Sequence, residues 1–416
     1  MKYATTLKLG ALALAMNLGM GIAQADTVKI ALIDPLSGSF AALGENQLRT
    51  WQYFSELANK EKWAGEHTLE IVGFDNKAGV QDSLSQLKRA IDQGYRYVAQ
   101  GNGSGVAFAL VDAINKHNER NPGKEVLYIN HGAIDPELTN DKCSFWHFSV
   151  DSNVDMKMQA LVNHLASNKD VKKVYIIGQN YAFGRSVSQA AKEMLAEKRP
   201  DVEIVGDDLH PIGEVKDFSP YVAKIIASGA DTIITGNWGS DLALLIRSAR
   251  ASGLDANFYT YYAVLKGAPT AMGESGLDRV KYVGVGSVNN EGYKGRDQVE
   301  GFKETYNDDL TWLQAYPAVK LLSQAIKKAD STDPVDVAFA MEGMEVDTFS
   351  STEKATMRAD DHQLQQPLYV ATWSKVNDGT VQLGQEGTGF GWRTDEVIPA
   401  SEAQLATTCK MKRPSR

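Results

Sequence analysis

Cysteine, histidine and long apolar runs are all scarce in this 416-residue chain, and each scarcity excludes something. Seven histidines are scattered, and none forms a His-x-x-x-His pair with cysteines nearby, so neither a metal site nor a cofactor is expected. Only Leu9–Ile22 is a sustained apolar run, and it is too short and glycine-rich to span a bilayer. Basic residues are outnumbered, with 43 Lys and Arg against 52 Asp and Glu and a net charge of -9. An acidic surface argues against nucleic acid and anionic membranes as partners.

The N-terminus has the form of a secretory leader. Lys2 and Lys8 supply a positive segment, the apolar run follows, and Ala23-Gln24-Ala25 offers a small-x-small cleavage site. Export with cleavage after Ala25 would leave a periplasmic protein with a charge of -11. In that oxidising compartment Cys143 and Cys409 are expected to form a disulfide tying the C-terminal tail to the body, the alternative being two free thiols. Closing so long a loop is worth about 4–5 kcal/mol in chain entropy.

Along the mature chain, strand-like runs alternate with helical patterns. Val28–Ile33, Thr68–Phe74, Tyr97–Gln100 and Val126–Asn130 read as strands, separated by helices over Gly44–Lys60, Val80–Gln93 and Val106–His117. The rhythm restarts near residue 150, with strands over Lys173–Ile177, Val202–Asp208, Thr232–Thr235 and Phe258–Tyr262. Such alternation predicts an α/β protein of two doubly wound lobes, each a parallel sheet covered by helices, with a cleft between their strand ends. The expected division is a signal peptide over 1–25, a first lobe over 26–149 plus about 288–367, a second over 150–287 plus about 368–400, and a tail over 401–416. Short crossovers near Phe148–Asp151 and Gly284–Asn290 would act as hinges.

Candidate ligand residues fall at the strand ends. Gly101-Asn102-Gly103-Ser104-Gly105 stands between a strand and a helix, where helix N–H groups and the Ser104 hydroxyl can hold a carboxylate or phosphate. It lacks the third glycine of a dinucleotide fingerprint and the spacing of a nucleophile elbow. At Asn130–Thr139, Gly132 and Ala133 are expected to present bare N–H groups, and His131 has no nucleophile paired with it. In the second half, Tyr181 and Phe183, Trp238, and Tyr262 supply aromatics at three strand ends. Trp312 and Tyr316, at i and i+4 of an expected helix, read as either pocket or core.

Taken together these segments resemble the leucine/isoleucine/valine-binding proteins, the periplasmic receptors of branched-chain amino-acid ABC importers. The resemblance rests on Asp34-Pro35-Leu36-Ser37-Gly38, the Gly94–Gly101 approach, Gly132–Thr139, Tyr181–Gly184, Leu245–Leu254, Tyr316–Val319 and Met357–Gln363, in that order along the mature chain. It implies a type I periplasmic-binding fold with three crossovers, no catalysis, a small-molecule ligand delivered to a membrane permease, and a monomer. It places ligand contacts at Ser104, Gly105, Ala133, Ile134, Leu43, Phe183, Tyr181, Trp238 and Tyr262. Three positions depart from the family: Leu43 stands in place of an aromatic, Ile134 replaces a threonine, and Tyr262 stands where amino-acid binders carry the acid that pairs with the ligand ammonium. A buried ammonium without a counter-charge is unfavourable by several kcal/mol. Either another acid substitutes, Asp241 being the candidate, or the ligand is an apolar or aromatic carboxylate rather than an α-amino acid. The competing readings are a secreted α/β hydrolase of amidase or esterase type and a soluble ligand sensor.

Overall fold

The computed structural model describes residues 25–166, 168–350, 352–377 and 379–415, so all of the leader but Ala25 falls outside the described residues. The first sheet holds β1 (Thr27–Asp34), β2 (Thr68–Asp75), β3 (Tyr97–Gln100), β4 (Leu127–Asn130) and β5 (His147–Ser149), all parallel, in the order β2-β1-β3-β4-β5. From Ile30 to Asp34 β1 is buried on both faces because strands flank it and helices cover it above and below. Those helices are α1 (Ala41–Lys60), α2 (Val80–Asp92) and α3 (Ser104–Arg120).

After β5 the chain passes through 150–153 into α4 (Val154–Ala166) and a second sheet. Five parallel strands, β6 (Lys173–Gln179), β7 (Glu203–His210), β8 (Thr232–Thr235), β9 (Asn257–Thr260) and β10 (Val280–Gly284), alternate with α5 (Ala182–Lys198), α6 (Ser219–Ser228), α7 (Gly239–Ala251) and the short α8 (Ala268–Met272). The chain then returns to the first sheet's side. There α9 (Arg296–Tyr306), α10 (Ala315–Ala329) and α11 (Pro334–Met341) gather, with Tyr53 and Phe54 of α1 meeting Phe302 and Tyr316 edge-on at 5.6 and 5.4 Å. A small antiparallel sheet of β11 (Glu345–Val346), β12 (Ala355–Met357) and β13 (Leu364–Gln365) precedes a third passage. Finally β14 (Leu368–Lys375) and β15 (Phe390–Ile398) complete the second sheet, followed by α12 (Ala400–Ala403).

The second sheet is therefore mixed, not parallel as expected. Its order is β15-β14-β10-β9-β8-β6-β7, and β14 runs antiparallel to both neighbours. A hairpin that returns across the sheet needs no covering helix, which is why the helix–strand rhythm did not announce it.

The passages are stitched to one another. Gln363 and Gln366 donate to the carbonyls of Asp151 (2.9 Å) and Val150 (2.5 Å), and Ser149 N donates to His362 O (2.9 Å). Cys143 and Cys409 are disulfide-bonded, so the tail beyond α12 is fastened beside β5. Thr407 Oγ1 donates to Thr139 O at 2.7 Å along the same path.

Candidate ligand-binding cleft

The C-terminal ends of β3 and β4 face those of β6, β8 and β9 across one cavity. Its lining is Gly101, Asn102, Gly103, Ser104, Gly132 and Ala133 from the first sheet, and Tyr181, Phe183, Trp238, Tyr262 and Leu265 from the second, with Trp312. Its free volume is about 20 Å³, enough for one water molecule. The two walls are thus close together, and a ligand of several heavy atoms enters only after they part.

The first wall is built from backbone. Gly103 has φ +96°, a conformation that glycine takes without strain, and it starts α3 at Ser104 with no side chain capping the helix. The first N–H groups of α3 are therefore free for an anion, with the helix dipole adding to the attraction. Ser104 Oγ accepts from Asp135 N (3.2 Å), which leaves its own proton to donate. Trp312 Nε1, buried on the cavity edge, has no hydrogen-bond partner among the described residues.

Behind this wall a polar network holds the loop. Asp34 accepts from Gly101 N (3.2 Å) and Asn102 N (2.9 Å), and His131 Nε2 lies 3.3 Å from it at ion-pair distance without hydrogen-bond geometry. The side chains of Asn102 and Gln47 exchange hydrogen bonds. Gln100 Nε2 donates to Asn102 O at 2.7 Å. Every member of this network is buried, so the loop is held rigidly.

One expectation about this wall fails. Asn130 Oδ1 accepts from both Gly132 N (3.1 Å) and Ala133 N (2.8 Å), so those N–H groups are spent within their own loop. The donors left for a ligand belong to α3. Gly132 matters for another reason: a Cβ there would sit 2.6 Å from Trp312 Cζ2, so only glycine lets that indole close on the loop.

The second wall is built from side chains. Tyr181 and Phe183 open α5, and Trp238 precedes α7 and donates from Nε1 to Tyr181 OH at 2.8 Å. Phe183 and Tyr262 have ring centroids 5.9 Å apart, and Tyr262 lies nearly parallel to Trp312 at 6.3 Å. Phe40, from the loop after β1, reaches across and packs on Trp238 at 4.4 Å. Burial pushes the Tyr262 hydroxyl well above the usual phenol range, so it acts as a neutral donor.

Tyr262 OH lies 3.1 Å from Gly132 O and 3.2 Å from Asp151 Oδ2. Asp151 is itself paired with Lys157 at 2.8 Å, both wholly buried, and Lys157 Nζ stands 4.8 Å above the Tyr262 ring. Burial pushes the Asp151 carboxyl up and the Lys157 ammonium down, and their mutual attraction opposes both shifts. Neither residue lines the cavity.

Of the sequence-derived ligand residues, Ser104, Ala133, Tyr181, Phe183, Trp238 and Tyr262 meet at this cavity. Leu43, Gly105 and Ile134 do not line it. Leu43 and Ile134 are core residues, at 3% and 2% exposure, and Gly105 sits in the first turn of α3. Asp241 does not line it either: its carboxylate accepts from Gln179 Nε2 (2.7 Å) and Gly213 N (2.9 Å). Trp312 lines the cavity from a loop, because α10 starts only at Ala315, whereas Tyr316 stacks on Phe349 in the core. The expected i, i+4 helical pair does not exist. Leu265 was missed as a lining residue, and nothing local marks it; Asn102 lines the cavity as part of the glycine-rich loop named from the sequence.

Two sheets that present strand ends to a shared cavity, joined by three passages, define a two-lobed solute receptor. The chain belongs to the periplasmic binding protein family, whose model matches residues 27–380, and within it to the leucine/isoleucine/valine-binding proteins of ABC importers. It is 30% identical over 420 residues to the Leu/Ile/Val-binding protein homolog 4 of Brucella abortus, covering 98% of both chains. The closed conformation of a leucine-, isoleucine-, valine-, threonine- and alanine-binding protein from Brucella ovis superposes with a TM-score of 0.82 at 30% identity, covering 94% of this chain and all of that one. An R. palustris ABC-transporter solute-binding protein in complex with benzoate shares the fold, with a TM-score of 0.77 at 18% identity over 92% of this chain and 99% of that one. The fold is thus the type I periplasmic-binding fold. Members of the family are periplasmic proteins that bind small molecules and deliver them to ABC permeases.

Proposed function

We propose that this chain captures a small, partly apolar carboxylate for an ABC importer of the branched-chain amino-acid type, by closing two lobes on it. The carboxylate is held at the N-terminus of α3, by its N–H groups with Ser104 Oγ and Trp312 Nε1. The remainder of the ligand packs against Tyr181, Phe183, Trp238 and Tyr262. The lobes are residues 26–149 with about 288–367, and 150–287 with about 368–400. Membership of the two sheets supports that division. The protein acts in the periplasm as a monomer after cleavage behind Ala25, and it performs no chemistry on its ligand.

The observation that carries this reading is the asymmetry of the cavity: free donors on one side, aromatic rings on the other, and no charged side chain among the lining residues. An α-amino acid would need a counter-charge for its ammonium, and no carboxylate lines the cavity. The amino acids and benzoate named for the two solved relatives mark the ligand classes to test first. A thermal-shift panel of amino acids, oxo acids and aromatic acids on the purified chain, followed by small-angle scattering with the best binder, tests the proposal. Stabilisation by a carboxylate with compaction of the particle is expected. A tight ligand without compaction overturns closure, and stabilisation only by non-carboxylates overturns the anion site.

A further inference from the structure

The charges around the cavity lie one layer behind its lining. Asp34 stands behind Gly101 and Asn102, the Asp135 carboxylate lies on Ser186 Oγ of α5, and Asp151 stands behind Tyr262. Asp241 stands behind Trp238, since Gln179 Nε2 reaches both Asp241 (2.7 Å) and Trp238 O (3.4 Å). Lys157 neutralises Asp151, and His131 approaches Asp34. Asp135 and Asp241 have only neutral donors among the described residues: Glu137 N and Ser186 Oγ for the first, Gln179 and Gly213 N for the second. A ligand that is purely anionic enters a site with negative charge at its back. A ligand that also carries a positive centre is favoured there.

That positive centre finds no carboxylate to pair with in the lining, and the Gly132 carbonyl shares the Tyr262 hydroxyl with Asp151. The lining does offer aromatic rings, which attract cations through their quadrupoles and are most effective when the cation sheds little water. A quaternary ammonium has no N–H to satisfy and is weakly hydrated. Lys157 already lies over the Tyr262 ring, which leaves Tyr181, Phe183, Trp238 and Trp312 for a ligand cation.

We propose that the cleft selects betaines, carboxylates whose nitrogen is quaternary, an inference that rests on the carboxylate-receptor reading above. The carboxylate end meets the N-terminus of α3 and the quaternary nitrogen meets the aromatic wall. The missing acid at position 262 is then a selective feature: it removes the partner of a primary ammonium and keeps the rings.

Isothermal titration of the full mature chain with two ligand pairs, one isosteric and one differing in N-methylation, tests this. The pairs are glycine betaine against 3,3-dimethylbutanoate, which replaces the nitrogen by carbon, and N,N,N-trimethylleucine against leucine; benzoate is the control carboxylate. The quaternary member of a pair that binds is expected to bind at least about tenfold more tightly than its partner. Trp238→Leu should reduce that ratio to about twofold, whereas Trp238→Phe should retain most of it, with thermal unfolding confirming that both variants fold. If dimethylbutanoate, leucine or benzoate binds as tightly as the quaternary ligands or more so, the betaine inference falls and the carboxylate receptor stands. If no carboxylate in the panel binds, both fall.

Discussion

The two walls of the cleft are made differently. The wall from the first sheet is mostly backbone: Gly101, Gly103 and Gly132 bring the chain close, and buried side chains behind it, Asp34, Gln47, Gln100 and Asn130, hold it in place. The wall from the second sheet is side chain, with Tyr181, Phe183, Trp238 and Tyr262 each standing at the end of a strand. A backbone wall recognises what all ligands of a class share, because its donors cannot be exchanged by substitution. A side-chain wall sets which member of the class is taken. Damage to the first wall should therefore abolish binding, and changes in the second should redirect it.

The largest effect expected from this contrast lies beneath the backbone wall. Buried His147 receives Asn130 Nδ2 on Nε2 at 3.1 Å, and Asn130 is the residue that organises Gly132 and Ala133. Burial holds the His147 imidazole down at about 3 from its ordinary 6.5, with His362 nearby adding to the depression. The unfolded chain therefore binds a proton that the folded one refuses between these values. Stability is full above pH 6.5 and is lost as pH falls, by roughly 1.4 kcal/mol per pH unit and on the order of 5 kcal/mol over the whole window. Urea unfolding at pH 7, 6 and 5 measures it. Asp155, pushed up to about 6 by burial, acts in the opposite sense, so the same profile of His147→Gln is the reference; identical slopes in the two would remove His147 from this account.

Gly132→Ala comes next. The new Cβ would lie 2.6 Å from the Trp312 ring, so closure is blocked, and a loss of affinity of about 100-fold is expected by calorimetry, near 3 kcal/mol. Ser104→Ala removes one donor and the acceptor of Asp135 N; a loss of about 10- to 30-fold is expected with only a modest drop in melting temperature. A comparable loss of stability and affinity together would mean that Ser104 serves the loop and not the ligand. The smallest effect falls on the other wall. Trp238→Leu gives up the contacts with Phe40 and Tyr181 and should change the order of preference among ligands while lowering the best affinity by about tenfold or less. If instead it abolishes all binding, the division of labour between the walls is wrong.

Much of this arrangement was legible without coordinates. The alternation of apolar runs and helical faces from Val28 to Tyr262 dictated parallel strands and helices, since a strand buried on both faces must be apolar throughout and its neighbours must cross over as helices. The glycines around Ser104 and the aromatics at 181, 183, 238 and 262 identified most of both walls, because ligand loops follow strands in such sheets. Export chemistry pointed to the bond between Cys143 and Cys409 that the structure contains.

Tertiary structure alone decided the remainder. Asn130 turns away the N–H groups of Gly132 and Ala133, a competition between side chain and ligand that depends on a rotamer and not on spacing. The antiparallel pair β14 and β15 joins the second sheet from the far end of the chain, with no local sign of which sheet it completes. Trp312 and Leu265 reach the cavity from loops, where no periodicity indicates direction. Most consequentially, the fold places Asp151 and Lys157 behind Tyr262 and leaves its hydroxyl on the Gly132 carbonyl. Local sequence determines which residues stand at strand ends. Which of their polar groups stay free for a ligand is settled by partners near and far, from Asn130 two residues before Gly132 to Asp151 more than a hundred residues before Tyr262, through contacts that only the folded chain makes.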